Sequence, residues 1–215
     1  MDSVNTDLRL VLTEEEINCC VKKCADLINK KFNGKNVIVV CILKGAVYFF
    51  TDLTRKLTIP HSCYFIEATS YHNNQTQSTN LSILSSINPD KFVDKHVVLL
   101  DELFDNGHTM FEIKKAIHEK ANVPLEMIYT CVAFIKGKTT NYPPPDLFGI
   151  AVPDVWLVGY GLDDCQEKRN WTNLYACPKS SGIPENTDDI IFKSNDQYTK
   201  MRSSLCEFVN QKIFD

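Results

Sequence analysis

The feature that most constrains this chain is a continuous apolar run at residues 97–100, followed at once by the acidic pair Asp101 and Glu102. Such a run is typical of a strand covered on both faces in a parallel sheet, and we expect the strand to end where the acids begin. A short polar loop, 105–109, comes two residues later, and a helical pattern follows from Met110. A loop of this kind presents backbone N–H groups together with the positive end of a helix dipole. The stretch therefore predicts a phosphate site.

The acidic residues also have a simpler interpretation as helix caps or solvated loop residues, because strand-loop-helix sequences recur in every α/β protein. The combination of groups favours the phosphate interpretation. Two adjacent acids, a third acid at Asp105 and a hydroxyl at Thr109 bring metal-binding, general-base and phosphate-holding groups into one short stretch of chain.

This stretch resembles the phosphoribosyl pyrophosphate loop of the purine phosphoribosyltransferases. In that family an aliphatic strand ends in two acids, and two apolar residues lead into an Asp-(Thr/Ser)-Gly-x-Thr loop. The resemblance implies that Asp101 and Glu102 hold the ribose hydroxyls and a hydrated Mg ion, and that Asp105 is the general base. It also implies that the 5′-phosphate is held by the loop residues Asp105, Asn106, Gly107, His108 and Thr109, in which Asn106 and His108 replace frequent hydroxyl and Lys residues.

Two further stretches resemble other binding elements of the same family. Leu43-Lys44-Gly45 matches a loop that receives pyrophosphate and often contains a non-proline cis peptide, although a Lys-Gly pair after a strand is by itself more often an ordinary turn. Arg169 matches a second basic group on the pyrophosphate. Ser70-Tyr71 matches the Ser-Tyr pair of a lid that closes over the active site and excludes water.

The resemblance extends to a purine site. Lys136 matches a lysine that donates to the exocyclic oxygen of a 6-oxopurine and so excludes adenine, although a lysine at a strand end is usually solvated. Trp156 matches an aromatic that stacks on the purine, and alone it would more often be a core residue. Asp163 matches a carboxylate that contacts a second metal ion. The residues implied to bind the purine are Lys136, Trp156, Leu157, Val158 and Asp163, and those implied to bind metal are Asp101, Glu102 and Asp163.

The hydrophobic pattern predicts an α/β fold in one domain of 215 residues, with a central, mostly parallel twisted sheet flanked by helices. A capping box at Thr13 and Glu16 predicts a helix, and residues 37–43 predict a central strand. Further strands are predicted at 63–68, 127–134 and 148–151, and the polar run 69–80 is predicted to be a loop. The resemblance implies a core at about 35–150, a hood subdomain from about 1–12 and 150–180, and a C-terminal helical extension at about 181–215.

Composition narrows the choice of partners and compartment. The formal net charge of −4 and sequence pI of about 5.7 leave no broad basic field, so nucleic acid and anionic membranes are unfavourable partners. No apolar run is long enough to cross a bilayer, and we expect a cytoplasmic protein. The nine cysteines lie in apolar contexts without CxxC spacing, which indicates reduced, mostly buried thiols.

Together the motifs imply a Mg-dependent purine salvage enzyme that transfers the phosphoribosyl group from phosphoribosyl pyrophosphate to N9 of guanine or hypoxanthine, giving GMP or IMP. Two Mg ions and a homodimer or homotetramer are implied by the resemblance. The Asp-Glu order and Trp156 are similar to a guanine-preferring protozoan branch, and xanthine stays open as a substrate. One alternative is a non-catalytic regulator of the same fold that senses phosphoribosyl pyrophosphate. A nicotinamide-dependent oxidoreductase is less favoured because the GxGxxG start is missing.

Overall fold

The computed structural model describes residues 8–72, 79–137 and 139–177. The predicted C-terminal helical extension and residues 73–78 of the polar run lie outside this part of the chain. The described elements, in chain order, are β1 Arg9–Leu12, α1 Glu14–Lys31, β2 Val37–Leu43, α2 Val47–Thr54, β3 His61–His72, β4 Thr79–Ile83, β5 His96–Phe104, α3 His108–Ala121, β6 Ile128–Lys136, β7 Leu147–Val152, β8 Leu157–Val158 and β9 Leu174–Ala176.

The main sheet has six strands in the order β4-β3-β2-β5-β6-β7. Every pair from β3 to β7 is parallel, and β4 alone runs antiparallel, at the edge beside β3. The two middle strands, β2 and β5, contain the continuous apolar runs at residues 37–43 and 97–100. The predicted mostly parallel α/β fold is therefore confirmed.

The side chains of β2 divide between the two faces of the sheet. Val37, Val39 and Cys41 pack on one face with residues of α1 and α2. Ile38, Val40 and Ile42 pack on the other face with residues of α3. A strand buried on both faces needs apolar residues at every position, which is why the run carries no polar alternation.

Helix α1 begins as its sequence predicts. The Thr13 hydroxyl accepts a hydrogen bond from the Glu16 backbone N–H, and the Glu16 carboxylate accepts one from the Thr13 N–H at 2.9 Å. Two backbone donors at the start of the helix that would otherwise be unsatisfied are thereby paired. The buried side of the helix carries Ile17, Cys20, Val21, Cys24, Ala25 and Ile28.

Two predictions about strand length are wrong. β5 does not end at Leu100 but continues through the acidic pair to Phe104, because β6 provides backbone partners up to the pair Phe104 and Ile135. The polar run is not a simple loop from residue 69, because β3 extends to His72 and pairs there with β4. Polar composition did not prevent strand pairing in either case, since the backbone rather than the side chains forms the ladder.

A second, three-stranded sheet has the order β1-β9-β8 and joins both ends of the described chain. Its strands come from 9–12 and from 157–176, which are segments of the predicted hood. No disulfide bond joins the cysteines of the described ranges. Burial raises the pKa of the buried Cys41 to about 12, and the charges of Asp101 and Glu102 contribute to the rise. No helix in the described ranges is both long and apolar enough to cross a membrane.

Gly149 in β7 tests how closely the sheet packs on α1. A Cβ added there would lie 2.6 Å from the Ala133 carbonyl oxygen and 2.9 Å from the Cys20 Cβ. We expect Gly149→Ala to lower the free energy of unfolding by about 2 kcal/mol because the backbone oxygen cannot move aside. Gly137→Ala is the matched control, since an added Cβ there meets nothing within 4 Å. Denaturant unfolding of both variants measures the difference, and equal stabilities would contradict it.

Candidate active site

The acidic pair lies where the two middle strands separate. β2 pairs with β5 only as far as Cys41 and Leu100, whereas β5 continues beside β6. Asp101 and Glu102 therefore stand at an opening on the β2 side of β5. The end of β2 lies beside that opening, and the Leu43-Lys44 peptide bond there is cis.

Two glycines allow three backbone segments to meet at Glu102. A Cβ added at Gly45 would overlap the Glu102 carboxylate, and one added at Gly161 would overlap the Gly45 carbonyl oxygen. Gly161 also has a φ of 99°, which strongly favours glycine. The loop after β2, the acids of β5 and the segment after β8 consequently form one tightly packed group.

The two acids share a buried environment that disfavours charge. Burial raises the pKa of Asp101 well above its usual range, and the neighbouring charge of Glu102 raises it further. Burial likewise raises the pKa of Glu102, while hydrogen bonding to Asp101 and the charge of Arg169 oppose the rise. The Asp101 Oδ1 accepts a hydrogen bond from the Glu102 backbone N–H at 3.0 Å. Such a pair gains most from a bound cation, which would relieve the repulsion between the carboxylates.

Arg169 and Asp163 lie beside this pair and bind each other. The Arg169 Nη2 lies 2.6 Å from the Asp163 Oδ1, and the Arg169 Nη1 donates to the Gly161 carbonyl oxygen at 2.7 Å. The second oxygen of Asp163 accepts a hydrogen bond from the Gln166 backbone N–H at 2.8 Å. A pyrophosphate bound by Arg169 would compete with Asp163 for the guanidinium.

The acids fit a magnesium site that is completed by substrate. Within the described residues, no three His, Cys, Asp or Glu side chains are grouped as a metal-ligand cluster. Mg²⁺ is commonly held by one or two carboxylates, with water and substrate phosphate oxygens completing the octahedron. The adjacent carboxylates of Asp101 and Glu102 match that donor set.

A second group of charges lies at the ends of β5 and β6. The Lys136 Nζ lies 3.3 Å from the Asp105 Oδ1 and 3.4 Å from the Asp154 Oδ1. The lysine side chain is only 11% exposed, whereas both carboxylates are 46% exposed. Lys136 is the last residue of β6 rather than the residue after it, so the strand fixes its position between the two acids.

The polar loop between β5 and α3 has a defined conformation. Gly107 has a φ of 86° and precedes the first residue of α3. The Asn106 side chain accepts a hydrogen bond from the His108 backbone N–H at 2.9 Å, and His108 Nδ1 lies 2.9 Å from the Tyr142 hydroxyl. Thr109 follows in the first turn of α3. The loop thus offers helix N-terminal donors that suit a phosphate.

The remaining predicted residues lie on the hood sheet and at the edge of the main sheet. Trp156 is 47% exposed and its carbonyl oxygen accepts a hydrogen bond from the Cys177 N–H at 2.8 Å. Leu157 and Val158 are buried in β8. The backbones of Ser70 and Tyr71 pair with β4, and their side chains lie outside the described part of the structure.

Sequence reasoning missed several partners of the site. Asp154 pairs with Lys136, Tyr142 contacts His108, and the buried Tyr160 donates a hydrogen bond to Asp52 at 2.9 Å. These contacts join segments that are far apart in sequence, so no local sequence pattern indicates them. The one available signal was the position of Asp154, two residues before the predicted stacking aromatic.

A separate cavity of about 320 Å³ lies at the opposite edge of the sheet, where β5 and β6 begin. Residues that line it include Lys31, Lys35, His96 and Tyr129. None of the predicted site residues lines this cavity. The candidate site instead lies at the carboxyl ends of the parallel strands, where open α/β sheets usually bind ligands.

Comparison with known proteins gives a consistent result. Residues 13–164 match the phosphoribosyl transferase domain family. The hypoxanthine-guanine phosphoribosyltransferase of Aquifex aeolicus is 33% identical over 170 residues, which cover 78% of this chain and 93% of that protein. The hypoxanthine-guanine-xanthine phosphoribosyltransferase of Tritrichomonas foetus is 26% identical, over 75% of this chain and 87% of that protein.

A solved structure agrees with these relatives. The hypoxanthine-guanine phosphoribosyltransferase of Bacillus anthracis superposes with a TM-score of 0.70 and 27% identity, covering 78% of this chain and 97% of that chain. The chain belongs to the phosphoribosyl transferase domain family. Its similar relatives within that family are hypoxanthine, hypoxanthine-guanine and hypoxanthine-guanine-xanthine phosphoribosyltransferases, and the family inferred from the sequence motifs is confirmed.

The acidic pair makes stability depend on pH. In the ligand-free protein the pKa of Asp101 is raised above its unfolded value, so its stabilising contribution is complete below the unfolded pKa and is lost as the pH rises through the folded pKa. Asp101→Asn has no carboxyl group to ionise, so this variant does not lose that stability as the pH rises. We expect it to raise the free energy of unfolding by about 1 kcal/mol at slightly alkaline pH, with the gain disappearing in acid.

Thermal melting across the pH range measures this effect, with Asp90→Asn as the control because Asp90 is exposed. An Asp101→Asn variant that melts at or below the wild-type temperature at alkaline pH would contradict the prediction.

Proposed function

We propose that this protein is a purine salvage enzyme that transfers the phosphoribosyl group of phosphoribosyl pyrophosphate to N9 of hypoxanthine or guanine, producing IMP or GMP and pyrophosphate. The observation that carries the proposal is the 3.3 Å pairing of Lys136 Nζ with Asp105 Oδ1. On a 6-oxopurine, O6 and N7 lie side by side on the same edge of the ring system. A donor for O6 and a base for N7 must therefore lie side by side in the protein.

Purine recognition follows from these two side chains and the exposed indole nearby. Lys136 donates to O6, and adenine is rejected because its amino group leaves the ammonium without an acceptor. Asp105 accepts the proton from N7, which makes N9 a better nucleophile toward the ribose carbon. Trp156, 47% exposed, offers an indole face for stacking on the purine. Backbone groups near Val158 and Asp163 read the N1 and N2 edge.

The sugar phosphate is bound by the opposite part of the site. The backbone of residues 106–109 and the Thr109 hydroxyl hold the 5′-phosphate at the N-terminus of α3. Asp101 and Glu102 accept hydrogen bonds from the ribose hydroxyls and lie near the positive charge that develops on the ribose as pyrophosphate departs. The cis peptide at Leu43-Lys44, with Gly45 and Arg169, receives the pyrophosphate.

The proposed function also includes two metal ions, a lid and an oligomeric assembly. Asp101 and Glu102 would hold one Mg²⁺ and Asp163 would hold a second, and these ions would supply charge neutralisation for the departing pyrophosphate. Ser70 and Tyr71 belong to the lid that excludes water. The main sheet forms the core, and the segment with β1, β8 and β9 forms the hood over the purine. The chain acts in the cytoplasm as a homodimer or homotetramer.

One assay tests the activity directly. The protein is incubated with Mg²⁺, phosphoribosyl pyrophosphate and each nucleobase in turn, and nucleotide formation is followed. We expect product from hypoxanthine and guanine and none from adenine, while xanthine reports the breadth of the site. Absence of any nucleotide product would overturn the proposal.

Asp105→Asn tests the base. We expect kcat to fall by about 10²- to 10⁴-fold, because an amide cannot accept the N7 proton, while substrate dissociation constants change much less. Single-turnover rates and equilibrium binding separate the two effects. Asp26→Asn, which removes a carboxylate paired with Lys22 on α1, is the control. An unchanged rate in Asp105→Asn would remove Asp105 from the role of base.

A further inference from the structure

We propose that Asp154 is a positioning residue that holds the Lys136 ammonium at the purine O6 while Asp105 becomes protonated. The proposal rests on the function proposed above, because it concerns how that site keeps its purine donor in place. Asp154 matches none of the binding motifs in the sequence and acts on the substrate only through Lys136.

The fold gives Asp154 this place through strand register. Lys136 at the end of β6 pairs with Val152 at the end of β7, and Asp154 follows two residues later. A turn closed by the Val155 N–H and the Pro153 carbonyl oxygen, at 3.0 Å, carries the chain from β7 toward Trp156. The Asp154 Oδ1 thereby comes to lie 3.4 Å from the Lys136 Nζ.

The distances place the ammonium almost equally between two carboxylates. Asp105 Oδ1 lies at 3.3 Å and Asp154 Oδ1 at 3.4 Å, while the lysine side chain is 11% exposed. A cation with so little access to water depends on nearby anions to offset its desolvation. If both carboxylates kept their charge throughout, the second one would be redundant. It becomes useful when one of them, Asp105, loses its charge.

The reaction changes the charge of Asp105. As the N7–H bond breaks, its proton forms an O–H bond with the Asp105 carboxylate. The electron pair on the ring forms the bond from N9 to the ribose C1′, while the bond from C1′ to the pyrophosphate oxygen breaks and pyrophosphate leaves with that electron pair. Asp105 is then neutral and no longer attracts Lys136 electrostatically. Asp154 takes no proton in this step, so it stays an anion beside the ammonium. The donor consequently keeps both its charge and its position while the purine O6 needs it most.

The same contact links two parts of the purine site. Lys136 belongs to the main sheet, whereas Asp154 precedes the stacking Trp156 by two residues. The ion pair therefore sets the distance between the O6 donor and the stacking surface. Loss of this ion pair should therefore weaken binding of the purine rather than binding of the sugar phosphate.

The test is Asp154→Asn, which keeps the size of the side chain and removes its charge. We expect the KM for hypoxanthine and guanine to rise about tenfold and kcat to fall, with the KM for phosphoribosyl pyrophosphate changed by less than about twofold. Asp154→Glu should recover part of the loss because it restores the anion. Thermal melting of each variant verifies that it is folded, and Asp26→Asn is again the control for removal of a paired carboxylate elsewhere.

A double-mutant cycle separates positioning from a merely structural effect. If Asp154 acts through Lys136, Asp154→Asn should add less than about a twofold change in kcat/KM for the purine in a Lys136→Met background. Additive effects of the two changes, an equal rise in both KM values, or no effect in the single variant would overturn the inference. Inactive wild-type protein would instead overturn the proposed function, so the two failures are distinguishable.

Discussion

The site depends on the separation of two strands that are otherwise fully paired. β2 and β5 run side by side through the core and part after Cys41 and Leu100. Beyond that point the backbone of β5 has a partner strand on one side alone. The opening admits acids into an otherwise apolar layer. Glu102 at this opening meets the loop after β2 and the segment after β8.

Close backbone approach is the second requirement of the site. Gly45 and Gly161 bring the loop after β2 and the segment after β8 against the Glu102 carboxylate without space for a side chain. The buried Tyr160 then fastens the later segment to α2 through Asp52, at 2.9 Å. Small residues thus allow the contact, and one hydrogen bond to a neighbouring helix holds it. The acids therefore lie within β5, and Glu102 is packed against both of these segments.

Much of the fold could be read from the sequence because its signals are local. The capping box at Thr13, the apolar run of β2 and the strand-loop-helix at 97–110 each form as predicted, apart from the length of β5. Strand ends were harder, since backbone pairing with β6 and β4 overrides side-chain polarity at Asp101 and at His72. The contacts of Asp154 and Tyr160 were not readable at all. They arise from register and packing between distant segments, and a single sequence records neither.

The distribution of thiols has a consequence for the chemistry of this cysteine-rich chain. The thiolate is the form that reacts with oxidants and alkylating agents, and burial raises the pKa of Cys41 to about 12. Cys131 and Cys20 are likewise buried, and burial raises the pKa of each. Among the described cysteines, Cys63 and Cys165 are the exposed ones. Electrophilic probes should therefore modify the exposed cysteines long before the buried ones, and a fluorophore attached at Cys165 would lie two residues from Asp163, the residue proposed above to hold the second metal ion.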